Sequence, residues 1–445
     1  MEWYYALSFL LGMILFLMFM GIPVALAFIA ANMIGATYFM GGNGDLLRQM
    51  SRGIGQLVNN ALPTVTTFNL MPVPMFLLMG EIFFHTGLGN KMFAAVEKLM
   101  GRIPGRLSFV TVAGGTAFAT LSGSSLGSTA LLGSLMVPAM EAKGYKKHMA
   151  IGPILGTGGL AMLIPPSALA VLLATLATLD VGDLLLAGVV PGLMLACFYV
   201  ILILGLCLWD PTAAPVYEVE PTAFSEKMRL LFFDIMPMMS IVVGVILLIM
   251  NGWATPSESA AFGCVGVLLL AIVYRKLTWA SFVASVTGAL RVTTMALLII
   301  FGSATFSALL AFSGASSGLI RWATQFDFDP IVMLVIMFCI LLVLGMFMDQ
   351  LSMMLLTVPI FFPLAQTLGF DLIWFGVIIL MALEISFTTP PFGLLLFVMK
   401  GVAPPDTTMR DIYMAALPYM GCAILLVVLL IIFPQIALWL PNLGE

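Results

Sequence analysis

Charged side chains are scarce in this sequence. Lys and Arg number 17 and Asp and Glu 21, so 9% of the 445 residues are charged while 62% are hydrophobic. A soluble domain of this size needs far more charge on its surface, so that class is excluded. A nucleic-acid binder is excluded as well, because the net charge is −4 and no basic patch occurs. Cys197, Cys207, Cys264, Cys339 and Cys422 stand alone in apolar runs with no C-x-x-C pair. They read as small core residues, not as a disulfide or metal framework. His85 and His148 are too few for a metal cage, and the 34 methionines read as packing filler. There is no phosphate-binding G-x-x-x-x-G-K-[ST] loop, no nucleophile–base pair and no zinc motif, so the chain is expected not to be an enzyme. The first apolar segment, Leu7 to Phe19, lacks a basic flank and a small-residue cleavage site. It reads as a retained helix, not a signal peptide.

Apolar runs of about 20 residues recur throughout, each long enough to cross a bilayer. The expected class is an all-α polytopic membrane protein; barrel strands would alternate polar and apolar residues. Within it, one pattern occurs twice. Ser122-Gly123-Ser124-Ser125, Pro138 and Pro165-Pro166 have counterparts in Met348-Asp349-Gln350-Leu351-Ser352, Pro363 and Pro390-Pro391, with the three prolines at one constant offset. Such recurrence indicates two copies of one unit.

The first copy is placed at 1–209. Helices are expected at about Tyr4–Met20 and up to Phe39, then an interfacial stretch from Gly41 to Asn60. A helix from about Thr67 to Phe84 follows, bent at its start by Pro72 and Pro74, and then an amphipathic arm over 88–102. The span 107–141 is too long for one helix and carries a polar tip. It reads as a re-entrant hairpin with legs of roughly 15 residues, about 22 Å each. A helix interrupted near Gly156–Gly159 and Pro165-Pro166 covers 149–178, and a further helix covers 184–208. A polar linker, 210–229, contains Glu218, Glu220 and Pro221. The second copy, 230–445, has helices at 232–250 and 257–274, an interfacial segment at 277–290, a helix at 292–312 and an arm at 316–326. A hairpin at 331–367, an interrupted helix at 372–399 and a helix at 411–433 complete it.

The flanks of the two hairpins differ in sign. Arg102, Arg106, Lys143, Lys146 and Lys147 surround the first; Asp327, Asp329 and Asp371 surround the second. Basic flanks stay in the cytoplasm, so the two units are expected to be inverted relative to each other. Five crossings per unit then place both termini outside.

Irregular backbone at membrane depth is tolerated where it lines a cavity. Its free carbonyls and hydroxyls suit a hard cation such as Na⁺, and the helix N-termini beside it suit a carboxylate. Ser122, Ser124, Ser125, Gly158 and Pro165 are candidates for one sodium site, and Asp349, Ser352, Thr388 and Thr389 for a second. Ser125, Thr157, Pro166, Thr389 and Pro390 are candidates for substrate. Each of these alone reads equally as a packing glycine or a helix-bonded hydroxyl. Among the intramembrane acids, Glu384 reads as an ion ligand or a hydrogen-bond anchor, and Glu81 as a structural partner. Glu258 reads as the far end of a capping box begun by Thr255-Pro256. Arg291 is expected to precede its helix and snorkel to the interface.

Val73-Pro74-Met75-Phe76-Leu77-Leu78-Met79-Gly80-Glu81, Leu121–Ser125, Leu163-Ile164-Pro165-Pro166-Ser167, Ala254–Glu258, Gly345–Asp349 and Leu383-Glu384-Ile385 through Pro391 together resemble the large membrane (M) subunit of TRAP, tripartite ATP-independent periplasmic, transporters. The resemblance spans nearly the whole chain. It departs at Gln350, where the family usually has Pro, and at Ala382, where it commonly has Asn. The resemblance implies a bacterial inner-membrane symporter of elevator type, driven by Na⁺ with no other cofactor. It further implies a small four-helix membrane partner (Q), a periplasmic substrate-binding protein (P) and an organic acid as substrate. A C4-dicarboxylate, sialic acid, a keto acid or a sulfonate all fit. A stand-alone Na⁺/organic anion symporter of related inverted-repeat fold is the alternative.

Overall fold

The computed structural model describes residues 2–42, 45–217, 223–325 and 328–443, apart from the side chains at 60, 61, 64, 65 and 324. Glu218, Glu220 and Pro221 of the expected linker, and Asp327, lie outside them. Every regular element among these residues is helical, as expected where backbone polar groups must be satisfied away from water. Seven helices are long and apolar enough to cross a membrane, and four more apolar helices are shorter.

The chain opens with α1 (Trp3–Phe19) and α2 (Val24–Phe39). The stretch expected to be interfacial holds a 20-residue helix, α3 (Leu46–Val65), which is not among the helices apolar enough to cross a membrane. It lies against α2, and a Cβ on Gly53 would stand 2.5 Å from the Ala36 carbonyl oxygen. The expected helix begins as a 3₁₀ turn, Phe68–Leu70, and continues through Met71 into α4 (Pro72–His85), with Pro72 and Pro74 near the join. The two prolines sit in the first turn of α4, where a missing N–H costs nothing. The arm is α5 (Leu88–Leu99), with Met92 buried and Lys91 paired to Asp234 at 2.8 Å.

Two helix pairs fall at the positions of the expected hairpins. The first is α6 (Arg106–Ser122) and α7 (Ser125–Ala142). Gly123 between them has φ +60°, which a glycine adopts without the Cβ clash. Ser124 then caps α7 by accepting from the Gly127 amide at 3.1 Å. The first interrupted helix is α8 (Lys147–Gly158), a 3₁₀ turn over Gly159–Met162, and α9 (Ala168–Leu176) capped by Ser167. Next, α10 (Val181–Trp209) leads to a connection shorter than expected. Residues 224–230 already form α11 (Phe224–Leu230), joined by a π turn to α12 (Met236–Met250).

The Thr255–Glu258 capping box opens α13 (Pro256–Val273) as expected. The expected interfacial segment 277–290 and helix 292–312 form one 34-residue helix, α14 (Trp279–Phe312), so Arg291 is exposed in mid-helix and does not precede it. Thr278 and Ser281 start α14 with a capping box, and no Pro interrupts it. The arm α15 (Ala315–Thr324) precedes the second pair, α16 (Pro330–Leu344) and α17 (Gln350–Thr367). The second interrupted helix is α18 (Leu372–Phe387) and α19 (Leu394–Val402). It is followed by α20 (Met409–Ile432) and the short α21 (Gln435–Leu438).

Two apolar cores result. The smaller joins α1 and α2 to the second half of α14 through Leu10, Phe28, Phe306 and Leu309; the larger holds α4 to α13 and α16 to α20. Buried Asn32 fixes α2 to α14, donating to the Gly302 carbonyl at 2.6 Å and to Thr305 at 2.5 Å. Such polar contacts hold helices together where lipid offers no hydrophobic contrast. Between the halves, α7 packs on α19 and α17 on α9. Each hairpin's second leg therefore meets the second segment of the other half's interrupted helix.

Candidate functional site

The two hairpin tips meet at one cavity of about 400 Å³. Ser122, Gly123, Ser124 and Ser125 form one wall, and Asp349, Gln350 and Leu351 another. Gly80 and Glu81 of α4, Val292 and Met295 of α14, and Ala168 at the start of α9 close it. Three helices, α7, α9 and α17, thus begin at its surface. Their first-turn amides have no partner within the helix and carry the positive end of the helix dipole. No Lys or Arg lines the cavity among the described residues. A carboxylate bound there would meet serine hydroxyls and those first-turn amides that the caps leave open, and it would share the cavity with the acidic side chains of Glu81 and Asp349.

Local geometry explains how the first tip is held. The Ser122 and Ser128 hydroxyls lie 3.1 Å apart, and Ser128 donates to the Ser124 carbonyl at 2.7 Å. The interrupted helix passes close by. A Cβ on Gly158 would stand 2.5 Å from the Thr129 hydroxyl and 3.5 Å from the Ser125 carbonyl oxygen, and one on Gly123 would stand 3.7 Å from the Pro166 carbonyl oxygen. Ser122, Ser124, Ser125, Gly158 and Pro166 are therefore neighbours. Pro165 is buried beside them, and the Pro165-Pro166 peptide is cis, as is Pro390-Pro391. Thr157 is also buried but spends its hydroxyl on the Pro153 carbonyl at 2.8 Å. Only the serines of this group line the cavity.

The second constellation is looser. Asp349 caps α17, accepting from the amides of Leu351 at 3.1 Å and Ser352 at 3.2 Å and from the Ser352 hydroxyl. Thr388 and Thr389 both donate to the Ile385 carbonyl, at 3.0 and 2.7 Å. Asp349 lines the cavity, whereas Ser352, Thr388, Thr389 and Pro390 do not. Thr388 borders a separate small cavity with Glu384. The two breaks differ in setting: Pro166 is buried and Pro391 exposed.

Sequence reasoning passed over several wall residues. Glu81 does pair structurally, with His85 at 3.1 Å, but it also faces the cavity, as do Phe84 and Phe387. Its signal was the adjacent Gly80, which lets α4 approach the tip. The buried Thr129 hydroxyl, with no hydrogen-bond partner among the described residues, faces Gly158. It lies one helical turn beyond Ser125.

The family described as "Tripartite ATP-independent periplasmic transporter, DctM component" matches residues 11–436. The C4-dicarboxylate TRAP transporter large permease protein DctM of Rhodobacter capsulatus is 31% identical over 394 residues, covering 85% of this chain and 88% of that protein. The sialic acid TRAP transporter large permease protein SiaM of Vibrio cholerae serotype O1 is 27% identical over 432 residues, 96% of each chain. Among solved structures, the Alcanivorax borkumensis YdaH transporter shares the fold with a TM-score of 0.63 at 15% identity, covering 86% of this chain and 89% of that one. The chain is thus a multi-pass membrane protein that belongs to the DctM component family of tripartite ATP-independent periplasmic transporters, whose members are transporters and not enzymes.

Proposed function

We propose that this chain is the large permease subunit of a Na⁺-coupled importer in the bacterial inner membrane, taking up an organic acid handed over by a periplasmic binding protein. The observation that carries the proposal is the meeting of both hairpin tips, Ser122–Ser125 and Asp349–Leu351, at one cavity. Helix N-termini at its wall favour a carboxylate, and freed carbonyls and hydroxyls beside the tips favour Na⁺. Ser122, Ser124, Ser125, Gly158 and Pro165 form the first sodium site in this reading, and Asp349, Ser352, Thr388 and Thr389 the second.

The units 1–209 and 230–445 are inverted copies joined by 210–229. The reciprocal packing of α7 on α19 and α17 on α9 supports this pairing. The hairpins and interrupted helices move together past the remaining helices and arms, which dock the small Q subunit. The relatives named for a C4-dicarboxylate and for sialic acid support a carboxylate substrate.

The test is uptake into proteoliposomes holding this chain with its small subunit. Accumulation is expected only with the binding protein present and an inward Na⁺ gradient. Equal uptake without either refutes the mechanism, and uptake by this chain alone selects a stand-alone symporter.

A further inference from the structure

The walls of the cavity between the tips are divided by chemistry. The polar part is the pair of tips, where Ser125 is the first residue of α7 and Gln350 the first residue of α17. The caps before them, Ser124 and Asp349, already accept from amides of their own helices. Gln350 is buried to 7% exposure, and its Nε2 has no hydrogen-bond partner among the described residues. Buried side-chain donors are seldom left in that state.

Most of the remaining lining is apolar. Phe84 of α4, Leu126 of α7 and Met295 of α14 are 40%, 38% and 51% exposed, and they line the space together with Leu169 and Leu172 of α9. Glu81 of α4 is the polar exception beyond the tips. Its carboxylate pairs with His85 at 3.1 Å and lies against α14, where a Cβ on Gly288 would stand 2.6 Å from Oε2. It presents acceptors, not donors, to an anion.

These walls limit the charge a substrate can bring. One carboxylate is matched, because the Ser125 hydroxyl, the Gln350 carboxamide and the open first-turn amides all donate. A second carboxylate finds only apolar side chains or Glu81, since no Lys or Arg lines the cavity among the described residues. Its desolvation then goes uncompensated. The hydroxyls of a polyol meet the same apolar surface and lose water without a replacement partner. An apolar body instead gains by covering Phe84, Leu126 and Met295. We propose that the substrate is a monocarboxylate with an apolar body, its carboxylate held by Ser125 and Gln350 and its body lying on Phe84, Leu169 and Met295. The proposal rests on the reading of this cavity as the substrate site of an importer and narrows the organic acid it takes.

Ligand-dependent thermal stabilisation of the full chain with its small subunit, in lipid nanodiscs and NaCl, tests this without a binding protein or a gradient. Phenylacetate and isovalerate are expected to raise the melting temperature. Succinate, sialic acid, glycine betaine and the neutral isovaleramide are expected to leave it unchanged. A larger shift with succinate, sialic acid or glycine betaine overturns the proposal and leaves the importer reading standing, whereas no shift with any acid overturns both. Gln350→Leu is expected to weaken phenylacetate binding about tenfold, and an unaltered affinity removes Gln350 from the carboxylate's partners. Met295→Lys is a second variant, in case Gln350→Leu does not assemble. It supplies the missing cation and is expected to gain a shift with succinate; no gain refutes the placement of the body on Met295.

Discussion

Gly80 of α4 lies so close to Ser122, the last residue of α6, that a Cβ on Gly80 would stand 2.1 Å from the Ser122 carbonyl oxygen. The obstructing atom is backbone, so no rotamer change can relieve it. This contact sets how near α4 comes to the first hairpin tip, and so the depth of the cavity wall.

Gly80→Ala should therefore push α4 and the tip apart. Overpacking of this kind costs about 1–3 kcal/mol. Thermal unfolding of the purified chain should show a lower melting temperature together with reduced uptake. An unchanged melting curve would contradict the close contact.

Ser125 is buried at the first position of α7 and lines the cavity. Ser125→Ala removes one hydroxyl without touching the Ser124 cap. Uptake should need a higher Na⁺ concentration to reach half its maximum while stability stays near wild type. A superimposable Na⁺ titration would take Ser125 out of the sodium site.

Asp349 has a structural task that can be separated from an ionic one. Asp349→Ala loses the α17 cap, costing about 0.5–2 kcal/mol, whereas Asp349→Asn keeps a capping oxygen. If Asp349 also serves Na⁺, both variants lose Na⁺ response and only the alanine loses stability. Retention of Na⁺ response by the asparagine variant would leave Asp349 as a cap alone.

Arg106 is buried at the base of the first hairpin. Its guanidinium donates to the carbonyls of Met100 at 3.1 Å and Glu97 at 2.5 Å and to the Tyr217 hydroxyl at 3.0 Å. It ties the end of α5 to the connection after α10. Hydrogen bonds to a charged group contribute roughly 1.5–3 kcal/mol each, so Arg106→Ala should destabilise by at least one such increment. Arg106→Lys should rescue poorly, because an ammonium cannot span the fork. Full rescue by lysine in a melting assay would count against this geometry.

Asp210 ion-pairs with Lys146 and accepts from Thr212, and Lys146 foremost lowers its pKa from 3.8 to about 2. A depressed carboxylate contributes stability in full above 3.8, and that contribution is lost as pH falls toward about 2. Wild type should lose melting temperature across that window, and Asp210→Asn should be flatter there. Parallel curves would show that the pair does not couple to folding.

Much of the helix pattern was legible because local chemistry marks helix starts. Ser124, Ser167, Asp349, Asp371 and Thr255 each cap the helix that follows them. Polarity alone does not mark a helix boundary. Thr287, Gly288 and Arg291 dilute the apolar run within α14, yet the helix runs through all three, because a polar face does not break the backbone ladder. At the site, the serines of the first tip and Asp349 reach the cavity; Thr157, Thr389 and Pro390 do not. The Thr157 and Thr389 hydroxyls bond their own helix turn whereas that of Thr129 does not, and sequence spacing cannot say which will.

The sequence by itself determined a membrane-spanning helical chain, two interruptions flanked by prolines, and two polar tips, because each follows from composition or from contacts within a few residues. Only the tertiary structure decided that the tips share one cavity, that Glu81 joins them and that Glu384 borders a separate small space instead. Those outcomes depend on how closely helices distant in sequence approach, and that distance is set at Gly80, Gly158 and Gly159, where the missing side chain leaves no local signature.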